Sequence, residues 1–388
     1  ISPVSTLIKW FPDRRGMATG LAIMGFGGGA MIGAPLADVL MRHFAGPAQV
    51  GVWQTLLVMA ALYLVSMLLG AFGYRVPPTG WTPPGWTAPP AGTQALVTTR
   101  HLHVDRVFST PQFWLLWGVL CLNVSAGIGV VGMASPMLQE VFGGRLLGTE
   151  GVLAQLAADQ RAQVATIAAA FAGLLSLFNI AGRILWASAS DLIGRKGTYF
   201  VFFLLGIVLY ASAPSAGAAG RVGLFVGLFC LILTMYGGGF ATIPAYLADL
   251  FGTQHVGAIH GRLLTAWSVA GILGPVVVNY IREAQLQAGV AASQAYNTTL
   301  YILAGFLLLG CLCNLLVRPV RADRFMSEDE LARERALAHE VSQREQLQAG
   351  AAAGPTPAAV VALAWVAVSI PLAWGVWTTL VKALPLFR

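Results

Sequence analysis

Charged side chains are scarce in this sequence: Asp, Glu, Lys and Arg make up 10% of 388 residues, against about a quarter in soluble domains. With 57% hydrophobic residues and a mean hydropathy of +0.72, an ordinary water-soluble globule is excluded. The chain reads as an all-α, polytopic membrane protein with a lipid bilayer as its surroundings. Cysteine is equally sparse. Cys121, Cys230, Cys311 and Cys313 all fall in apolar stretches, without C-x-x-C spacing or nearby histidines, so disulfide staples and zinc are not expected. The Walker loop, H-E-x-x-H and G-x-S-x-G are missing, and acids and histidines fall almost entirely in loops. A catalytic constellation, a cofactor and ATP-driven pumping are therefore not expected. The net charge of +7 comes from bases scattered over loops rather than gathered on one face with aromatics, which argues against a nucleic-acid partner.

What is abundant is apolar sequence in runs long enough to cross about 30 Å of hydrocarbon. Nine such runs are predicted as helices, at 17–41, 52–74, 113–138, 163–187, 198–214, 222–247, 257–281, 298–317 and 358–381. Alternating the loops between two sides places fourteen lysines and arginines on one and seven on the other, with Arg183 and Arg262 set aside in or near the membrane. The richer side is cytoplasmic by the positive-inside rule, and the carboxy terminus then lies outside. A multi-pass protein of a bacterial inner membrane is the expected setting.

The chain starts with Ile1 and no secretory leader is visible. An internal repeat bears on this beginning. Gly16, Gly20 and Gly33 match Gly257, Gly261 and Gly274 at a constant offset of 241, with Pro35 and Pro275 close behind. From Phe113 onward four spans precede the second copy, and none precedes the first, so about four spans are expected before Ile1, completing a two-times-six transporter. Glycines at such spacing also serve plain helix packing.

The stretch Asn179-Ile-Ala-Gly-Arg183, running on to Asp191-Leu-Ile-Gly-Arg-Lys196, concentrates the informative residues. At ~1.5 Å rise per residue Arg183 lies about 12 Å up its helix from Asp191, inside the bilayer. A lone arginine there costs at least ~2.5–3.5 kcal/mol, so it faces an aqueous cavity or a counter-charge. Its planar fork grips a carboxylate through two hydrogen bonds, and the alternative is a structural pairing with an acid on another helix. Asn123, Ser125 and Asn179 are polar and mid-span, as cavity hydrogen-bonders or as helix glue. Asp191, Gly194, Arg195 and Lys196 mark a cytoplasmic edge and read as a conformational latch, or else a solvated turn. Asp13 with Arg14 and Arg15 is its counterpart in the other half. His260 and Arg262 read as interfacial residues without a role. Asp38, near an outer end, gives little support to a proton relay.

The loop at 191–196 resembles the D-x-x-G-R-R/K signature of the major facilitator superfamily. The glycine-rich spans 17–41 and 257–281 resemble its fifth and eleventh helices. More narrowly, W-F-P-D-R-R-G-M-A-T-G at 10–20, S-P-M-L-Q-E-V-F-G at 135–143, N-I-A-G-R at 179–183 and A-D-L-F-G at 248–252 are similar to the oxalate/formate antiporter branch. The resemblance implies twelve helices in two halves, a central cavity and alternating access. Tyr236 and Phe240, four apart on one face, resemble the aromatic pair lining that cavity. Trp267 stands where oxalate-carrying members have lysine within T-A-K, so one cavity cation is replaced and a monoanion suits the site better than a dianion.

The expected organisation is a remainder of the amino-terminal half at 1–74, a proline-rich cytoplasmic loop at 75–110 and a six-helix half at 111–318. A charged linker at 319–357, helical from the capping-box spacing at Ser327, and an extra transmembrane helix at 358–388 follow. That last helix resembles the one-helix accessory polypeptides of some such carriers. The expected function is secondary transport of a small organic anion of the formate, lactate or pyruvate type, as an antiporter or a proton symporter. The other reading is a transport-inactive sensor or scaffold that signals through the tail.

Overall fold

The computed structural model describes residues 2–46, 50–73, 76–77, 81–87 and 96–337, with isolated positions beyond; side chains at 26–35, 38 and 72–73 are excepted. The ninth predicted run, 358–381, and the side chain of Asp38 therefore fall outside the described residues. Two compact units divide the chain, 1–326 and 327–388.

In the first unit the helices are α1 (Ser2–Trp10), α2 (Arg15–Phe44), α3 (Val52–Gly73), α4 (Pro111–Phe142), α5 (Ala158–Ile193), α6 (Arg195–Ala218), α7 (Val222–Phe251), α8 (Val256–Leu263), α9 (Thr265–Gln287) and α10 (Asn297–Leu316). Long apolar runs settle as helices, because in hydrocarbon every backbone amide and carbonyl needs a partner inside the protein and a helix supplies it within one segment. Among the described residues seven helical segments are long and apolar enough to cross a membrane, α8 and α9 counting as one. The remaining predicted run, 17–41, lies within the 30-residue α2. Most of the predicted runs undershoot the helix ends, while 52–74 and 298–317 each reach one residue past theirs. The run 198–214 becomes the 24-residue α6, whose polar first turn, Arg195 and Lys196, is helical although it carries no apolar signal.

The run 257–281 departs from expectation in a second way. It is interrupted at Leu264, which separates α8 from α9. The Thr265 hydroxyl donates to the Arg262 carbonyl at 2.9 Å, a side-chain bond that competes with the helical ladder at that point.

Helices α4 and α7 form the buried centre, and Tyr199, Phe202, Phe203 and Tyr210 of α6 pack between them and α10. At the other extreme α3 is apolar all round and exposed, with Met67 at 73% and Leu69 at 70%. Close helix crossings use glycine where a Cβ has no room. Gly16 lies against the Ala187 carbonyl of α5, and Gly274 of α9 lies against the Ser125 carbonyl of α4.

The proline-rich segment folds back on the start of the chain: Trp81 Nε1 donates to the Trp10 carbonyl at 3.1 Å, and the two rings meet edge-on at 5.0 Å. Trp81 thus packs on Trp10. In the second unit a helix runs over 328–337, and the Ser327 hydroxyl accepts from the Glu330 amide at 3.2 Å, the N-cap its spacing predicts.

Candidate functional site

Arg183 is 3% exposed in the middle of α5. Its Nε donates to Asn179 Oδ1 at 3.2 Å, one turn earlier, and its Nη1 donates to the Ile23 carbonyl of α2 at 2.9 Å. The guanidinium carbon stands 5.6 Å from the centre of the Phe240 ring of α7, within cation–π range. Phe240 in turn meets Trp267 of α9 at 5.6 Å between ring centres, tilted by 55°. Asn179, Arg183, Phe240 and Trp267 therefore form one line across α5, α7 and α9, with α2 closing one end. Asn179 is set by close packing, because a Cβ on Gly237 of α7 would lie 2.7 Å from its Oδ1.

Tyr236 sits one turn before Phe240 and within electrostatic reach of Arg183, its ring laid against Gly127 of α4. With Asn123 it lines a small cavity between α4, α6 and α7. Asn123 is 5% exposed and faces Gly239, and its Oδ1 has no partner among the described residues. Ser125 is fully buried and spends its hydroxyl on the Cys121 carbonyl at 2.7 Å. Of the polar mid-span residues, Asn179 therefore joins Arg183, Asn123 joins Tyr236, and Ser125 bonds its own helix.

At the end of the bundle that carries Asp191, its carboxylate accepts from the amides of Gly16 at 2.8 Å and Met17 at 2.9 Å. These are first-turn donors of α2, which the helix itself leaves unsatisfied, and a negative group there also meets the positive end of the helix dipole. Arg195 Nη2 reaches the same carboxylate at 2.6 Å, while its Nε donates to Asp249 at 3.1 Å and its Nη1 to the Ser190 hydroxyl. Asp249 also accepts from Arg15 Nη1 at 2.8 Å. Gly194, at φ +78°, makes the turn from α5 into α6 that brings Asp191 and Arg195 together. Lys196 faces elsewhere: its Nζ donates to the carbonyls of Leu315 at 3.0 Å and Val317 at 2.7 Å, capping α10. Arg15 pairs with Asp249 and so joins the Asp191–Arg195 cluster, while Asp13 pairs with its neighbour Arg14 at 3.6 Å.

Asp249, Glu140 and Arg282 take their partners from distant parts of the chain. Asp249 lay in a recognised motif, A-D-L-F-G, but its role depends on partners 54 and 234 positions away. At the opposite end of the bundle Glu140 of α4 and Arg282 of α9 form a two-pronged pair at 2.5 and 3.0 Å, and Arg282 Nε also reaches the Tyr296 hydroxyl at 2.9 Å. Burial, and then the Glu140 charge, push the Tyr296 hydroxyl above its ordinary pKa, so it stays protonated. His260, expected at the interface, is 4% exposed inside the bundle.

Comparison with known proteins places the chain. A family model described as the Major Facilitator Superfamily matches residues 2–275. The chain is 28% identical over 334 residues to the oxalate:formate antiporter of Oxalobacter formigenes, covering 85% of this chain and 69% of that protein. It is 24% identical over 307 residues to apicoplast pyruvate carrier 1 of Toxoplasma gondii, covering 67% of this chain and 52% of the carrier. An uncharacterised transporter of the superfamily from Escherichia coli K12, YhjX, is 22% identical over 272 residues, covering 69% of this chain and 58% of that one. The chain thus spans about half to two thirds of the length of these relatives. Among solved structures, an inward-facing, unoccupied bacterial homologue of the human lysosomal transporter Spinster gives a TM-score of 0.49 at 15% identity, covering 81% of this chain and 73% of the other. With the family model running over most of its length and its spans formed as helices, this multi-pass integral membrane protein belongs to the major facilitator superfamily of transporters.

Proposed function

We propose that the protein is a secondary carrier of a small organic anion, a monocarboxylate of the formate, lactate or pyruvate type. The observation that carries this reading is the guanidinium of Arg183, buried in a membrane span beside the face of Phe240, whose ring in turn meets Trp267. A planar fork and apolar ring faces suit a carboxylate with a short carbon tail. The likeness to an oxalate:formate antiporter and to a pyruvate carrier supports the same substrate class. Tryptophan at 267, where the oxalate-carrying members have lysine, favours one negative charge over two.

In the proposed mechanism the carboxylate docks on Arg183, with Asn179, Tyr236 and Asn123 supplying polar contacts around it. Neutralising the buried charge lowers the cost of closing the cavity, and the two halves rock about the site. Asp191, Arg195, Asp249 and Arg15 latch the start of α2 to the ends of α5, α6 and α7 at the cytoplasmic face, and the latch opens in the other access state. Exchange and proton symport use the same site.

Counterflow into proteoliposomes tests this. Labelled formate, lactate, pyruvate and oxalate are compared in wild type and Arg183→Gln. Saturable monocarboxylate uptake that is lost in the variant is expected. Unchanged uptake in the variant makes Arg183 structural, and uptake of oxalate in preference to all three monocarboxylates overturns the role given to Trp267.

A further inference from the structure

The segment 96–110, between α3 and α4, is fastened at several points to the ends of the helices behind it. Its Thr98 and Leu102 amides donate to the carbonyls of Asp249 at 2.8 Å and Phe251 at 2.9 Å, filling two orphan acceptors in the last turn of α7. Gly252, at φ +80°, lets the crossing be close: a Cβ there would lie 2.5 Å from His101 Nδ1. Leu102 and Val107 are fully buried beneath it. Farther along, His103 meets His255, at the start of α8, ring to ring at 5.4 Å.

The firmest hold is Arg262, near the end of α8. Its Nη1 donates to the Val104 carbonyl and its Nη2 to Asp105 Oδ1 at 3.2 Å, and its guanidinium carbon lies 5.1 Å from the centre of the Phe108 ring. The same residue's carbonyl accepts the Thr265 hydroxyl at 2.9 Å, and that hydroxyl accepts Trp117 Nε1 of α4 at 3.0 Å. The joint between α8 and α9 is thus held on one side by the loop and on the other by α4. Two residues past Thr265 comes Trp267, whose ring rests on Phe240 beside Arg183.

We propose that residues 96–110 are a strap, fastened by Arg262, that fixes the joint between α8 and α9 and thereby the position of Trp267 over the anion site. Arg262 is a positioning residue, acting through Trp267 without touching substrate. The link to transport rests on the reading of Arg183, Phe240 and Trp267 as the anion site; the strap does not.

Two measurements on the full chain separate these. In detergent, trypsin cleavage at Arg106 within the strap is expected to be at least tenfold faster in Arg262→Gln than in wild type. Arg262→Lys, which keeps a donor for Val104 but loses the fork, falls between them. Equal cleavage rates overturn the strap whatever the protein transports. In proteoliposomes, Arg262→Gln is expected to raise the KM for monocarboxylate five- to tenfold with Vmax within twofold. Added to Trp267→Phe, it should change KM by less than twofold, because both changes act through one ring. Additive effects overturn the link to Trp267. Should Arg262→Gln fail to fold, Thr265→Val carries the test: it leaves the strap's side-chain contacts intact, and the same KM rise without faster cleavage is expected, while an unchanged KM refutes the joint. Absence of uptake by the wild type sinks the anion reading, and the cleavage rates then decide the strap alone.

Discussion

Replacing Asp191 with asparagine leaves the shape of the side chain and removes its charge, which isolates what the carboxylate does at the start of α2. In the native protein two oxygens serve three donors: the Gly16 and Met17 amides and Arg195 Nη2. Asparagine offers one oxygen, and its NH2 group confronts a donor wherever the other oxygen stood. A hydrogen bond to a charged group contributes about 1.5–3 kcal/mol, and the helix-dipole interaction about 0.3–1 kcal/mol. With the remaining oxygen keeping one amide, the net loss at the first turn of α2 is ~2–3 kcal/mol, a roughly 30- to 150-fold change in its opening equilibrium at about 1.4 kcal/mol per tenfold. Hydrogen–deuterium exchange of a peptide covering residues 12–20 reads this directly, since Gly16 and Met17 are the capped amides. Exchange should speed up by that factor in Asp191→Asn, with the peptide over 115–125 in α4 unchanged. Equal protection in variant and wild type would refute the cap and, with it, the proposed latch.

Other outcomes follow from the same contacts. Arg183→Lys keeps the charge but loses the planar fork, so monocarboxylate KM in counterflow should rise by about tenfold or more; an unchanged KM would mean the site needs only a point charge. Trp267→Lys places a second cation beside Arg183, and oxalate should then compete with labelled formate at least tenfold better than in wild type; no gain in competition would remove Trp267 from the specificity argument. Glu140→Gln breaks the half-buried pair with Arg282 and should destabilise the detergent-solubilised protein by about 1–2 kcal/mol, after discounting for the exposure of the pair. In a double-mutant cycle with Arg282→Gln the losses should be strongly non-additive, and additive losses would deny the pairing.

Much of this architecture can be read from order and composition. The apolar runs announce the spans, because nothing but a helix satisfies twenty consecutive backbones in lipid. Arg183 stands out because a cation in such a run demands a partner or a cavity. The Asp191 loop stands out because an acid, a glycine and two bases at a helix end have few other uses. Asp249 is harder, since the partners that define it lie 54 and 234 residues away and leave no periodic trace. Glu140 and Arg282 are hidden for the same reason at a separation of 142. Lys196 shares the local pattern of Arg195 yet serves α10, because only the direction in which α6 leaves Gly194 decides which helix end each base meets. The break at Leu264 has no proline or glycine beside it, and the threonine hydroxyl bonded three residues back has counterparts at Thr19 and Thr234 inside unbroken helices, so no local signal announces it.

The cap on α2 has a consequence for how the protein is made. The amides of Gly16 and Met17 wait for a carboxylate 175 and 174 residues farther along the chain. At a synthesis rate of about 5–20 residues per second, the start of α2 leaves the ribosome roughly 9–35 s before its partner exists. During that interval the Asp191 carboxylate is not there to accept from its first turn, and α2 cannot settle against α5. Final seating of the first helices is therefore a late event, timed by the arrival of Asp191. A ribosome stalled between the two should display a nascent chain whose residues 10–20 are open to protease and become protected once α5 has been inserted.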